Sequence, residues 1–242
     1  MTLETTRLSK AFGGVTALDG ASVAFHDGKV NALIGPNGSG KTTYFNCVTG
    51  MIKPDSGRVA YRGKDITGQA PHRIARAGLG RTFQLCRIFP RMTVLDNLLA
   101  SAGPRGLVSS LRGSRNRTET ERARGWLARV GIDHLQHTEA RNLSYGQQKL
   151  LELAGVLMSE PDTILLDEPA GGVNPALIER IGALVRQLNA EGRTFLIVEH
   201  NMDLVMGISD HVVVLDRGRP IAEGPPSVIR SDERVLGAYL GV

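Results

Sequence analysis

Nine consecutive residues, Gly35, Pro36, Asn37, Gly38, Ser39, Gly40, Lys41, Thr42 and Thr43, have the types and spacing needed to hold a polyphosphate. They fit G-x-x-x-x-G-K-[ST] in full. The glycines let successive backbone N–H groups curl around β- and γ-phosphates without a Cβ in the way. Lys41 adds a mobile cation, Thr42 offers a hydroxyl to Mg²⁺, and a following helix N-terminus contributes its dipole. The implied ligand is a nucleoside triphosphate with its metal. The loop alone does not say what hydrolysis would drive.

Two elements must flank such a loop, and the sequence supplies both. Val30 to Ile34 is apolar enough for a buried strand, and Thr42 to Gly50 can open a helix. A second strand candidate, Thr163-Ile164-Leu165-Leu166-Asp167-Glu168-Pro169, is an apolar run ending in two acids. Its pattern is that of a strand buried on both faces of a parallel sheet, with its carboxyl end at the ligand crevice. Asp167 is then placed to hold Mg²⁺, directly or through water, and Glu168, one residue further out, to polarise an attacking water. Ser144 is a good N-cap, and Leu150, Leu153, Ala154 and Leu157 follow it at i, i+3, i+4 and i+7, so a helix starts there.

With Leu143-Ser144-Tyr145-Gly146-Gln147-Gln148-Lys149 preceding the two-acid strand, the chain resembles the ATP-binding cassette (ABC) ATPases from about Leu3 to Val242. The resemblance implies that Ser144, Tyr145, Gly146 and Gln147 contact the nucleotide held by a second chain. It also implies that Gln84, after the short apolar stretch Leu79 to Phe83, senses Mg²⁺ and the membrane partner. His200, which ends Thr194 to Glu199, would contact the γ-phosphate. Phe12, 23 residues before Gly35, falls where the family places an aromatic ring against adenine, although tyrosine is more common there.

Linker sequences narrow the resemblance. Thr82 to Leu98, Val198 to Met206, Ala170 to Pro175 and the end Ala238-Tyr239-Leu240-Gly241 resemble ATPase subunits of branched-chain amino acid importers. Asn174 replaces the aspartate of the general family pattern, as it does in this subgroup. The Ser101 to Arg124 region departs from close relatives in being shorter and more basic. The implied partners are transmembrane permease subunits, a second ATP-binding subunit, identical or different, and indirectly a periplasmic or extracellular solute-binding protein. The implied location is the cytoplasmic face of the cell membrane, as a peripheral protein. A soluble ABC scaffold of the cluster-assembly or repair type, and an exporter or lipid-extraction ATPase, remain as alternatives.

Composition bounds the rest. A chain of 242 residues with 41% hydrophobic residues fits one α/β domain. There is no apolar stretch of membrane-spanning length, and the start lacks a secretory core. Cys47 and Cys86 have no metal-ligand spacing and suggest a reducing compartment. The formal charge of +5 gathers between Arg105 and Arg129, including Arg112, Arg115, Arg117, Arg122 and Arg124. A solvated loop leading into a helix over Arg122 to Val130 accounts for it better than a lipid surface. Nucleic acid is not expected, because no aromatics interleave with the arginines.

The expected fold is α/β: a P-loop NTPase core of the ABC ATPase type with a parallel sheet, an N-terminal antiparallel β subdomain, and a helical subdomain carrying the Ser144 motif. One domain is expected over 1–242, with its core at about 1–85 and 161–242 and its helical part at about 86–160. Leu3 to Leu8, Ser22 to Phe25 and Arg58 to Tyr61 are the antiparallel strand candidates. Asn174-Pro175 opens a helix that Gly192 stops, and Leu85 to Leu99 is expected to be a helical arm that meets the permease.

Overall fold

The computed structural model describes residues 1–83, 86–102 and 117–240. Strands β1 (Leu3–Phe12) and β2 (Val15–Phe25) form a long hairpin, and β3 (Val30–Ile34) leads through the phosphate loop into helix α1 (Lys41–Val48). After β4 (Ser56–Tyr61), β5 (Lys64–Asp65), α2 (Pro71–Arg76) and β6 (Leu79–Arg81) comes a helical region: α3 (Val94–Ser101), α4 (Arg117–Val130) and α5 (Tyr145–Leu157). The chain then alternates through β7 (Thr163–Asp167), α6 (Pro175–Ala190), β8 (Thr194–Val198), α7 (Met202–Ile208) and β9 (His211–Asp216). It closes with β10 (Arg219–Gly224), α8 (Pro226–Ile229) and α9 (Glu233–Leu240).

Two sheets result. The smaller, in the order β2-β1-β4-β5, is antiparallel. The larger runs β10-β9-β3-β8-β7-β6 and is parallel except for β10 at its edge. Every residue of β3, β7 and β8 is buried, as strands covered on both faces must be. Successive side chains leave opposite faces, so one strand feeds two cores. From β8, Phe195 and Ile197 join the helical side with Leu98, Leu127, Leu150 and Leu157, while Leu196 and Val198 join Phe25, Tyr44 and Phe45 under the antiparallel sheet. A third, smaller cluster packs Ile229 and Val235 of the C-terminal helices on Ala32, Ile34, Val212 and Val214. Because β3, β7 and β8 are neighbours in one parallel sheet, the segments that follow them emerge at the same edge.

Several expectations need adjustment. The N-terminal strands are longer than the alternation suggested, because Gly13 and Gly14 take positive φ and let β1 turn directly into β2. The helix expected over Arg122 to Val130 begins at Arg117, where an Arg117–Glu121 pair four residues apart supports its first turn. The arm expected to be helical over Leu85 to Leu99 is a helix only from Val94, capped by Thr93, whose Oγ1 accepts from Asp96 N. Its approach is shaped instead by buried Asn97, whose amide accepts from Phe89 N at 2.7 Å and donates to the carbonyls of Phe89, Met92 and Thr93 at 3.1, 3.3 and 2.9 Å. These bonds satisfy backbone groups that a helix would have paired. Gln84, Leu85, Arg105, Arg112, Arg115, Gly241 and Val242 lie outside the described residues.

Candidate functional site

The phosphate loop bridges the end of β3 and the start of α1, and two glycines in it have no substitute. Gly35 lies at φ 150° and Gly40 at φ 102°; a Cβ on Gly35 would stand 2.0 Å from Leu215 O, and one on Gly40 would stand 2.3 Å from Ala17 O. The loop is thus pressed against β9 and β2, with Gly218 N donating to Ser39 O at 2.9 Å. Lys41 is buried and turned back along the loop, its Nζ donating to Gly35 O at 2.8 Å and Pro36 O at 2.9 Å. Burial lowers the pKa of its ammonium, and the nearby Glu168 carboxylate acts in the opposite direction. Thr42, beside it in the first turn of α1, is exposed.

Asp167 is the last residue of β7 and is 4% exposed. Its Oδ2 accepts from Arg81 at 2.7 Å, and its backbone N–H donates to Thr82 Oγ1 at 3.2 Å. Glu168 follows in the left-handed region, φ 48°, which is uncommon for a residue other than glycine and marks a tight turn out of the strand. Its N–H donates to Val198 O at 2.9 Å, and its carbonyl accepts from Lys149 Nζ at 2.6 Å and Gly171 N at 3.1 Å. His200 stands just past β8 with its side chain 60% exposed. The parallel register pairs Asp167 with Val198 and Leu33 with Val198, so the phosphate loop, the two acids and His200 share one edge of the sheet.

Ser144 opens α5 with a capping box: Gln147 N donates to Ser144 Oγ at 3.3 Å, and Ser144 N donates to Gln147 Oε1 at 2.9 Å. Tyr145, next to the cap, is exposed. Phe12 ends β1, 45% exposed as a residue, with Lys10 Nζ 5.4 Å from its ring centre. An aromatic ring left open to solvent at a strand end is available for stacking.

Three charged residues that sequence reasoning passed over hold this edge together. Arg81, at the end of β6, bonds Asp167, Asn46 Oδ1 at 2.8 Å and Thr49 Oγ1 at 2.7 Å, and lies between the rings of Phe45 and Phe83. Lys149, on the buried side of α5, reaches Glu168 O, and burial lowers the pKa of its ammonium. Glu199 is fully buried between β8 and His200. For Arg81 and Glu199 the available signal was a charge directly after an apolar stretch, and for Lys149 a charge just before Leu150 and Leu151 in an amphipathic helix; none of these by itself requires the charge to be buried and paired.

The comparisons with known proteins agree with this geometry. The family model described as ABC transporter matches residues 18–171, and the one described as branched-chain amino acid ATP-binding cassette transporter matches residues 219–242. The high-affinity branched-chain amino acid transport ATP-binding protein BraF of Pseudomonas aeruginosa is 41% identical, over 99% of this chain and 97% of its own. LivG of Escherichia coli strain K12, described in the same words, gives the same identity and shares. The chain belongs to the ABC transporter ATPases. Among solved structures, a nucleotide-free ATP-binding cassette from an ABC transporter superposes with a TM-score of 0.87 at 39% identity, covering 100% of this chain and 99% of that one. An ABC cassette in its ADP conformation gives the same values. As a member of this family the chain is an ATP-binding ATPase. The hydroxyl of Thr42 and the carboxylate of Asp167 are hard oxygen donors, the class that Mg²⁺ takes, so the residues present fit that ion.

Proposed function

We propose that this chain is the ATP-hydrolysing subunit of an importer for branched-chain amino acids or related small solutes, working as a head-to-tail pair with an identical or different ATP-binding subunit. The observation that supports it best is the shared sheet edge: phosphate loop, Asp167, Glu168 and His200 converge there, while Ser144 to Gln147 start a separate helix. Each ATP would lie between residues 35–43 of one subunit and residues 144–147 of the other, with adenine on Phe12. Lys41 and the loop N–H groups hold the phosphates. Glu168 polarises the attacking water as general base, and His200 contacts the γ-phosphate together with Gln84 at the metal side. Thr42, Asp167 and Gln84 are the residues that would hold Mg²⁺, which when bound would supply charge neutralisation to the phosphates.

Because one nucleotide contributes to both surfaces, ATP favours the closed pair and hydrolysis releases it. In this reading 1–85 and 161–242 form the catalytic core and 86–160 the arm that carries the motion to the permease subunits. The pair is held at the cytoplasmic face of the membrane by those subunits, and the transported solute, delivered by a solute-binding protein, touches no residue of this chain. The relatives named for branched-chain amino acid transport and the match at residues 219–242 favour that solute class. Co-expression with candidate permease subunits and a candidate solute-binding protein from the same genome, followed by uptake of labelled leucine and of urea, tests the assignment. ATP-dependent leucine uptake is expected, and urea uptake without leucine uptake would reassign the solute.

A further inference from the structure

Glu199 is the most deeply buried carboxylate among the described residues, at 0% exposure, and no phosphate, metal or water-activating role falls to it. Its Oε1 accepts from Ala170 N at 2.6 Å, and its Oε2 accepts from His200 N at 2.8 Å and Asn201 N at 2.9 Å. Ala170 is two residues past Glu168, in the turn that leaves β7; His200 and Asn201 leave β8. One carboxylate therefore ties two separate loops. The preceding residue completes the clamp, since Val198 O accepts from Glu168 N. Glu168 is held in its left-handed conformation between that bond on one side and Lys149 Nζ on its carbonyl on the other.

Resting on the roles proposed for Glu168 and His200, we infer that Glu199 is a positioning residue that fixes the distance and orientation between those two groups. A carboxylate is suited to this because it offers only acceptors, and bonds from N–H groups to an ionised oxygen are short and strong. A glutamine of the same shape has one acceptor oxygen and an amide that can only donate, so at least one of the three N–H groups loses its partner. The two loops would then be free to shift relative to each other with little change in the phosphate loop, which Glu199 does not touch.

The test uses the purified full chain and the variants Glu199→Gln, Glu199→Asp, His200→Ala and Glu199→Gln/His200→Ala. Steady-state ATP hydrolysis and equilibrium binding of a fluorescent ATP analogue are measured on each. For Glu199→Gln, kcat should fall by about tenfold or more while analogue affinity stays within about twofold, the pattern of lost transition-state alignment rather than lost binding. The double variant should turn over no more than about twofold slower than His200→Ala alone, because the placement of Glu168 relative to His200 no longer matters once the imidazole is gone. Glu199→Asp, which keeps the charge and all acceptors, should recover part of the turnover. If Glu199→Gln does not fold, the same kcat-to-affinity comparison on Glu199→Asp decides. Wild-type kcat in Glu199→Gln, a loss of affinity equal to the loss of kcat, or multiplicative losses in the double variant would overturn the inference. If His200→Ala itself turned over normally, the proposed site roles would fail first and this inference with them.

Discussion

Arg81→Met removes the cation that, among the described residues, is bonded to Asp167, and its cost follows from burial. The two side chains are 8% and 4% exposed, and the guanidinium also satisfies Asn46 on α1 and Thr49 at its C-cap. Removing one member of a buried pair leaves the other as an uncompensated charge, at a cost of about 3–5 kcal/mol. For a chain of this size each kcal/mol lowers Tm by about 2–4 °C, so the expected drop is roughly 6–20 °C. Circular dichroism melts in nucleotide-free buffer give the value. Arg81→Met/Asp167→Asn removes both charges and should recover much of the loss, since no buried charge is left unpaired. A drop below about 2 °C in Arg81→Met, or a double variant no more stable than the single one, would refute the reasoning that Arg81 exists to hold Asp167.

At the phosphate loop, Lys41→Ala should abolish hydrolysis and weaken nucleotide affinity strongly while the glycine-determined loop keeps its shape; near-normal turnover by a phosphate-release assay would remove the loop from the mechanism. On the proposed docking arm, Phe89→Glu adds a charge at a side chain that is 55% exposed and outside the described cores, so the isolated subunit should keep its fold and ATPase activity while uptake by the assembled complex falls. Unchanged uptake would move the docking surface elsewhere.

Much of this architecture was legible because strong local signals agreed with the tertiary outcome. The glycines of the phosphate loop, the apolar runs ending in Asp167 and His200, and Ser144 with Gln147 each specify a local geometry that the parallel sheet then aligns. Less legible were features whose cause lies far away in sequence. Arg81 is meaningful only once Asp167, 86 residues on, is beside it, and Glu199 only once Ala170 is. The segment before α3 was less legible for a local reason: Asn97 bonds the backbone of Phe89, Met92 and Thr93 into a loop, a side-chain competition with helical pairing that outweighs propensity. The edge strand β10 and the short α8 give weak periodic signals and are fixed by packing on β9.

The central claim is that Glu168, held at φ 48° beside Asp167, the proposed Mg²⁺ ligand, performs the chemistry of ATP hydrolysis rather than binding. The direct measurement is the ATP turnover of Glu168→Gln at saturating ATP and Mg²⁺. The substitution keeps shape and hydrogen bonding, so nucleotide still binds, and loss of a general base should lower kcat by about 10²–10⁴-fold. Turnover within a few-fold of the unaltered chain would contradict the account.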